Sequence, residues 1–146
     1  TAFRGLEHRI EPAGRIRGIS FINDSKATNV ESTLAALKAL GRGKNIWLIL
    51  GGLDKGNPYA PLLPLIRKNV KAVLTIGSAA QKIEKKLAGG CPIITSVTME
   101  NACRAIFETA APGDVALFSP ACASFDQFRD FEDRGRQFKA FVKKLK

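Results

Sequence analysis

An α/β fold, with a mostly parallel sheet and helices on both of its faces, is what this sequence of 146 residues predicts. Three observations carry that expectation. The continuous apolar run at residues 46–50 (IWLIL) and the largely apolar stretches at 72–76 (AVLTI) and 115–118 (VALF) suit buried strands, the first covered on both sides. Stretches with apolar residues at helical spacing lie between them. Two extended segments near the start flank turn residues, which adds one antiparallel hairpin at an edge. Buried strands joined through helices require right-handed crossovers, hence a Rossmann-like arrangement.

The elements follow in order. Segments HRIEP and RIRGISFI form the hairpin around Pro12, Ala13 and Gly14. Residues 29–40 make a helix with Val30, Leu34, Leu37 and Leu40 on one side, closed by Gly41 and Gly43. After the strand at 46–50, residues 62–68 form a short helix. The strand at 72–76 leads to a basic helix at 79–87. A weak strand surrounds Ile93, a helix spans 99–110, and the strand at 115–118 precedes a long helix expected over 125–145. No repeat, linker or low-complexity tract interrupts the pattern, so residues 1–146 read as a single domain.

Bulk properties exclude several classes. No apolar run approaches the ~20 residues of a membrane span. No charged and apolar leader precedes the first element. Cys91, Cys103 and Cys122 share no metal-ligand spacing and cannot all pair, which suggests buried free thiols in a reducing cytoplasm. A net charge of +10 and a pI near 9.9 suit nucleic acid or an anionic ligand. The excess sits on helical faces, at Lys82, Lys85, Lys86, Lys143, Lys144 and Lys146, as solvated charge. Aromatic residues do not interleave with it as an RNA-stacking surface requires, so no nucleic-acid partner is expected. A monomer is expected.

Chemistry concentrates in three strand-following loops, NDSKATN, GGLDKGNP and SPACAS, which belong on one rim because ligands of such sheets bind beyond the carboxyl ends of the strands. Capping-box patterns begin at Thr28, Ser78 and Ser124. All three therefore have a structural explanation; Ser78 has little else and serves as the structural control. Asp24 is a turn carboxylate, part of a local pair with Lys26, or an acceptor for ribose hydroxyls. Lys26 is a phosphate contact or a solvated charge. Three glycines around Lys55 allow the backbone to approach a ligand closely. Cys122 has no histidine to activate it, because the only one is His8, so it reads as a structural thiol. Phe131 is core or a wall of the site, and Arg9 a surface residue or a phosphate contact. Neither GxxxxGK[ST] nor GxGxxG occurs.

Taken together, HRIE, FINDSKATN, GGLDKG and SPACASFDQFRDFEDRGRQF occur in the order found in the carboxy-terminal domain of the Mur ligases. The chain resembles that family over essentially its whole length, and most closely the branch that adds D-glutamate. The resemblance implies an ATP-dependent ligase of peptidoglycan precursor synthesis in the bacterial cytoplasm. It implies that D-glutamate is joined to UDP-MurNAc-L-alanine through an acyl phosphate. By the same resemblance Thr28, Lys55, Ser124, Phe125 and Phe131 receive D-glutamate, and Arg9, Asp24 and Lys26 serve ATP. No catalytic residue and no metal ligand is assigned within the chain. The P-loop, the Mg2+ ligands and the UDP-binding domain belong to preceding domains, so the chain reads as a third domain, inactive alone.

Three alternatives stay open. The chain could belong to another Mur ligase, or to a folylpolyglutamate synthase-like ligase, with a different amino-acid acceptor. It could be a small basic nucleotide- or nucleic-acid-binding module. It could be an enzyme complete in itself.

Overall fold

Six strands are present in the computed structural model, which describes residues 6–145: β1 (Glu11–Ile16), β2 (Ile19–Asn23), β3 (Ile46–Gly51), β4 (Val70–Ile76), β5 (Ile93–Val97) and β6 (Val115–Phe118). They form one sheet in the order β1-β2-β6-β3-β4-β5. Only β1 runs antiparallel, against β2; all other pairs are parallel. The helices are α1 (Val30–Leu40), α2 (Leu63–Asn69, entered through a short 3-10 turn), α3 (Ala80–Lys86), α4 (Met99–Thr109) and α5 (Phe131–Lys144).

The central strand explains the two-layer cover. Every residue of β3 is buried. Ile46, Leu48 and Leu50 face a core built with Leu37 of α1, Ile66 of α2 and Ile83 of α3. Trp47 and Ile49 face the opposite core, with Ile106 of α4 and Phe138 of α5. Alternate side chains of a strand point to opposite faces, so an unbroken apolar run is needed where both are covered. Phe118 of β6 stacks on Phe138 with ring centroids 4.8 Å apart, fixing α5 across the sheet.

Two sequence expectations are corrected. The hairpin exists, but it turns at Arg17 and Gly18, whose φ angles are +54° and +78°. Positive φ at both central residues matches the right-handed twist of the flanking strands. Pro12, Ala13 and Gly14 instead form an irregularity within β1. The last helix starts at Phe131, not near Phe125. Asp130 caps it, its carboxylate accepting from the Asp133 N–H at 2.7 Å. The segment from Ser124 makes only one turn, with the Ser124 carbonyl accepting from Gln127 and Phe128 N–H. A charged cap followed by Glu132 and Asp133 suits a helix N-terminus better than Ser124 does.

Cys103 and Cys122 are buried free thiols and Cys91 is a half-buried one. Among the described residues no helix is long and apolar enough to cross a membrane.

Candidate functional site

Neighbouring strands β2, β6 and β3 end on the same rim, and backbone bonds join the loops that follow them. Asp24 N–H donates to the Phe118 carbonyl at 2.8 Å, and Ala121 N–H to the Ala27 carbonyl at 2.9 Å. Gly51 N–H donates to the Pro120 carbonyl at 3.0 Å, and Leu53 N–H to the Ala123 carbonyl at 2.8 Å. The three loops singled out from sequence are thus one stitched surface.

A cavity of about 340 Å³ opens there, lined by Thr28, Lys55, Ser124, Phe125, Phe131 and the start of α5. It brings together all five residues expected to receive the amino acid, Phe125 among them through its backbone. Ser124 is buried at its floor, whereas Phe125 is 61% exposed at its lip. The Lys55 ammonium stands 5.6 Å from the centre of the Phe125 ring. Among the described residues Lys55 has no ion-pair partner.

A second cavity, of about 300 Å³, adjoins it and contains Arg9, Asp24, Lys26, Asn29 and Glu31. Lys26 connects the two, its ammonium 5.0 Å from the centre of the Phe131 ring. Arg9 and Lys26 make this cavity cationic on one side. Asp24 forms no ion pair with Lys26 among the described residues. Its carboxyl group accepts from Ile10 N–H at 3.0 Å and meets the Ser119 hydroxyl at 2.7 Å. Burial pushes its pKa above the usual aspartate value, against the pull of those bonds and of Arg9. Asp24 thus ties the end of β2 to the residues beside β1 and β6, and it also lines the second cavity.

The capping expectations are corrected as well. Asn29, not Thr28, caps α1, accepting from Ser32 N–H at 2.9 Å. Thr28 is exposed and is left to the cavity. Ser78 caps nothing; its hydroxyl donates to the Gly52 carbonyl at 3.2 Å and its N–H to Asp126 at 3.0 Å. Ser124 lies seven positions before α5 rather than at its start. The N-terminus of α5 still reaches the cavity through Asp130 and Phe131, but its partial positive charge is answered by its own acidic first turn.

Arg134 is the residue that sequence reasoning missed. It is 1% exposed, and its guanidinium donates to Ser25 Oγ at 2.9 Å, Ser25 O at 2.7 Å and Cys122 O at 3.0 Å. Ser25 Oγ in turn donates to the Phe131 carbonyl at 2.7 Å. One side chain of α5 thereby clamps the loops after β2 and β6. Burial lowers its pKa to about 10, which leaves it charged at neutral pH. The signal was available: an arginine at i+4 from Asp130 with Phe131 and Phe138 on the buried side belongs on the inner face. His8 is a further buried anchor, its ring against Asn23 at 2.9 Å and edge-on to Phe131. Glu7 and Glu11 beside it are held by Lys139, forming an ion-pair network.

A doubly wound sheet with cationic and hydroxylic side chains gathered at its carboxyl rim defines the class: a Rossmann-like α/β domain, of the kind whose ligands bind beyond the carboxyl ends of the strands. The chain belongs to the Mur ligase family, whose model described as "Mur ligase, glutamate ligase domain" matches residues 8–122. It is 52% identical over 143 residues to the UDP-N-acetylmuramoylalanine--D-glutamate ligase of Elusimicrobium minutum, covering 98% of this chain and 32% of that protein. It is 48% identical to the enzyme of the same name from Solibacter usitatus, covering 99% of this chain and 32% of that protein. The chain thus spans about a third of the length of these relatives. Among solved structures, the UDP-N-acetylmuramate-alanine ligase MurC of Thermotoga maritima shares the fold. Its TM-score is 0.67 at 20% identity, covering 99% of this chain and 32% of that one. The MurF ligase of the same organism, solved in complex with ADP, gives a TM-score of 0.66 at 14% identity, with coverage of 98% and 33%.

Proposed function

We propose that this chain is the amino-acid-receiving domain of an ATP-dependent ligase that joins D-glutamate to UDP-MurNAc-L-alanine in peptidoglycan precursor synthesis. The observation that carries the reading is the gathering of Thr28, Lys55, Ser124, Phe125 and Phe131 around one cavity. Relatives at about half identity bear the corresponding name.

D-glutamate brings two carboxylates. Lys55 supplies a free ammonium for one, and the hydroxyls of Thr28 and Ser124 with the Phe125 backbone N–H supply donors for the other. Phe131 and Phe125 wall the aliphatic stem. The adjoining cavity offers Arg9 and Lys26 to phosphate oxygens, and the Asp24 carboxylate to a ribose hydroxyl. ATP, when bound, supplies the phosphoryl group that activates the carboxylate of the acceptor nucleotide. The residues of this chain then hold the D-glutamate amine in line for attack and keep water away, which raises its effective concentration.

The carboxylates of the second cavity are Asp24 and Glu31, and Asp24 is engaged by Ile10 and Ser119. In this reading Mg2+ is assigned to ligands elsewhere in the full-length ligase, and the isolated chain to inactivity. The ligase acts as a cytoplasmic monomer, where Cys103 and Cys122 stay reduced, and takes no nucleic acid: Lys38, Lys86 and Lys143 are exposed on three different helices rather than on one stripe.

The test is steady-state kinetics in the full-length ligase. Lys55→Ala and Ser124→Ala should each raise KM for D-glutamate by roughly tenfold or more, the scale of a lost charge-assisted hydrogen bond. An unchanged KM, or a preference for L-lysine or meso-diaminopimelate over D-glutamate, would overturn the assignment.

A further inference from the structure

Lys55 follows Asp54 directly, and two opposite charges side by side in a loop attract each other. The structure keeps them apart. The Asp54 carboxylate accepts from the Tyr59 hydroxyl at 2.8 Å and from Gly56 N–H at 3.3 Å through one oxygen. Its other oxygen receives the Lys82 ammonium at 2.9 Å. Lys82 comes from α3, across the rim, and also lies 5.6 Å from the centre of the Tyr59 ring. Three donors thus occupy both oxygens of the carboxylate, while Lys55 remains without an ion-pair partner among the described residues and lies against the Phe125 ring.

We propose that Lys82 is a specificity-determining positioning residue: it takes up the charge of Asp54, so that Lys55 keeps its own for a carboxylate of the amino-acid acceptor. The inference rests on Lys55 receiving that carboxylate. Without Lys82, the Asp54 anion becomes the nearest partner for Lys55 and also repels a dianionic ligand. From sequence, Lys82 was one of several solvated lysines on a basic helix; its position against Asp54 separates it from Lys85 and Lys86, which are exposed. A purely structural role fits poorly. The Lys82 and Asp54 side chains are 39% and 27% exposed, and pairs this open to solvent contribute little to stability.

The experiment uses the full-length ligase and varies D-glutamate. Lys82→Met should raise KM for D-glutamate roughly tenfold with kcat within about twofold, because it weakens ground-state binding of the anion. The melting temperature should stay close to that of the parent. Lys82→Arg should restore KM. The double variant Lys82→Met with Asp54→Asn should also recover, because the carboxylate that Lys82 neutralises is gone while Asn still accepts from Tyr59 and Gly56. An unchanged KM in Lys82→Met overturns the proposal, as does a double variant as poor as the single one. Lys55→Ala separates the two levels. If it leaves KM unchanged, the parent reading falls and this one with it; if it raises KM while Lys82→Met does not, only the role of Lys82 falls.

Discussion

Arg134 of α5 donates to both the backbone carbonyl and the hydroxyl of Ser25, at 2.7 and 2.9 Å, across 109 positions of chain. Its third bond reaches the Cys122 carbonyl. The two loops that floor the candidate site are therefore held by one planar, fork-shaped cation that no neutral residue replaces. Arg134→Ala leaves the Ser25 and Cys122 carbonyls buried without donors. Each such orphan costs about 1–3 kcal/mol, so a loss of roughly 3 kcal/mol or more is expected. Arg134→Lys should recover little, because one ammonium cannot reach all three acceptors. Urea denaturation of both variants checks this, and a lysine variant as stable as the parent contradicts it.

Thr28 and Asn29 divide two tasks that a capping box would have combined. Asn29 accepts from Ser32 N–H and closes the N-terminus of α1, while Thr28 is exposed beside the cavity. Asn29→Ala should cost about 1 kcal/mol, the usual loss at an N-cap. Thr28→Ala should leave thermal stability nearly unchanged and raise KM for D-glutamate in the full-length ligase. The reverse pattern, with Thr28→Ala the destabilising change, would return Thr28 to a structural role.

What the sequence made legible divides along a physical line. The strands at 46–50, 72–76 and 115–118 were readable because burial on both faces demands a nearly unbroken apolar run, and the other apolar run, at 60–66, is marked off by Pro61 and Pro64. The rim was readable because loops after adjacent parallel strands must lie together. Local choices between competing polar residues were not. Asn29 and Thr28 both suit an N-cap, as do Asp130 and Ser124, and tertiary contacts decide which side chain is free to serve. Ser78 illustrates the same point: it fits the box, yet its hydroxyl is drawn to Gly52 across the rim. The helical pattern marks Arg134 as inward-facing, but its role stayed hidden because its acceptors lie on the loops after β2 and β6, far away in sequence.

Asp24 carries a pH prediction. Ser119 Oγ lies 2.7 Å from Asp24 and 3.0 Å from Thr33 Oγ1, while Thr33 donates to the Ser119 carbonyl. Two hydroxyl protons cannot fill all three contacts when Asp24 is ionised; a protonated Asp24 completes the chain. Burial raises its pKa in the folded state, so the neutral form is the one that folding favours. That stability is fully present below the unfolded value of ~3.9 and is lost as pH rises through the higher folded value. Asp24→Asn mimics the neutral carboxyl at every pH. It should match the parent near pH 4 and exceed it at pH 7, read from denaturation curves at both values. A variant less stable than the parent at pH 7 would mean that the ionised form is the one the fold supports.

Gly52 sets how closely the Lys55 and Ser124 loops approach. Its φ of +138° lies where residues with a side chain are strained, and a Cβ there would overlap the Ala123 carbonyl. That carbonyl is the one that accepts from Leu53 N–H, the bond that stitches the two loops. Gly52→Ala therefore acts on the fold and the cavity through one contact. Overpacking of this kind costs about 1–3 kcal/mol, to which the backbone strain adds. The loops must part to accept the methyl group, which separates Lys55 from Ser124 and should raise KM for D-glutamate beyond the effect of Ser124→Ala alone. Gly56, in the same loop, has open space around it at a φ of +84°, so Gly56→Ala brings the backbone strain without the clash. The paired measurement decides the point: Gly52→Ala should lose clearly more stability than Gly56→Ala, and equal losses would show that conformational strain, not the approach of the two loops, governs this corner.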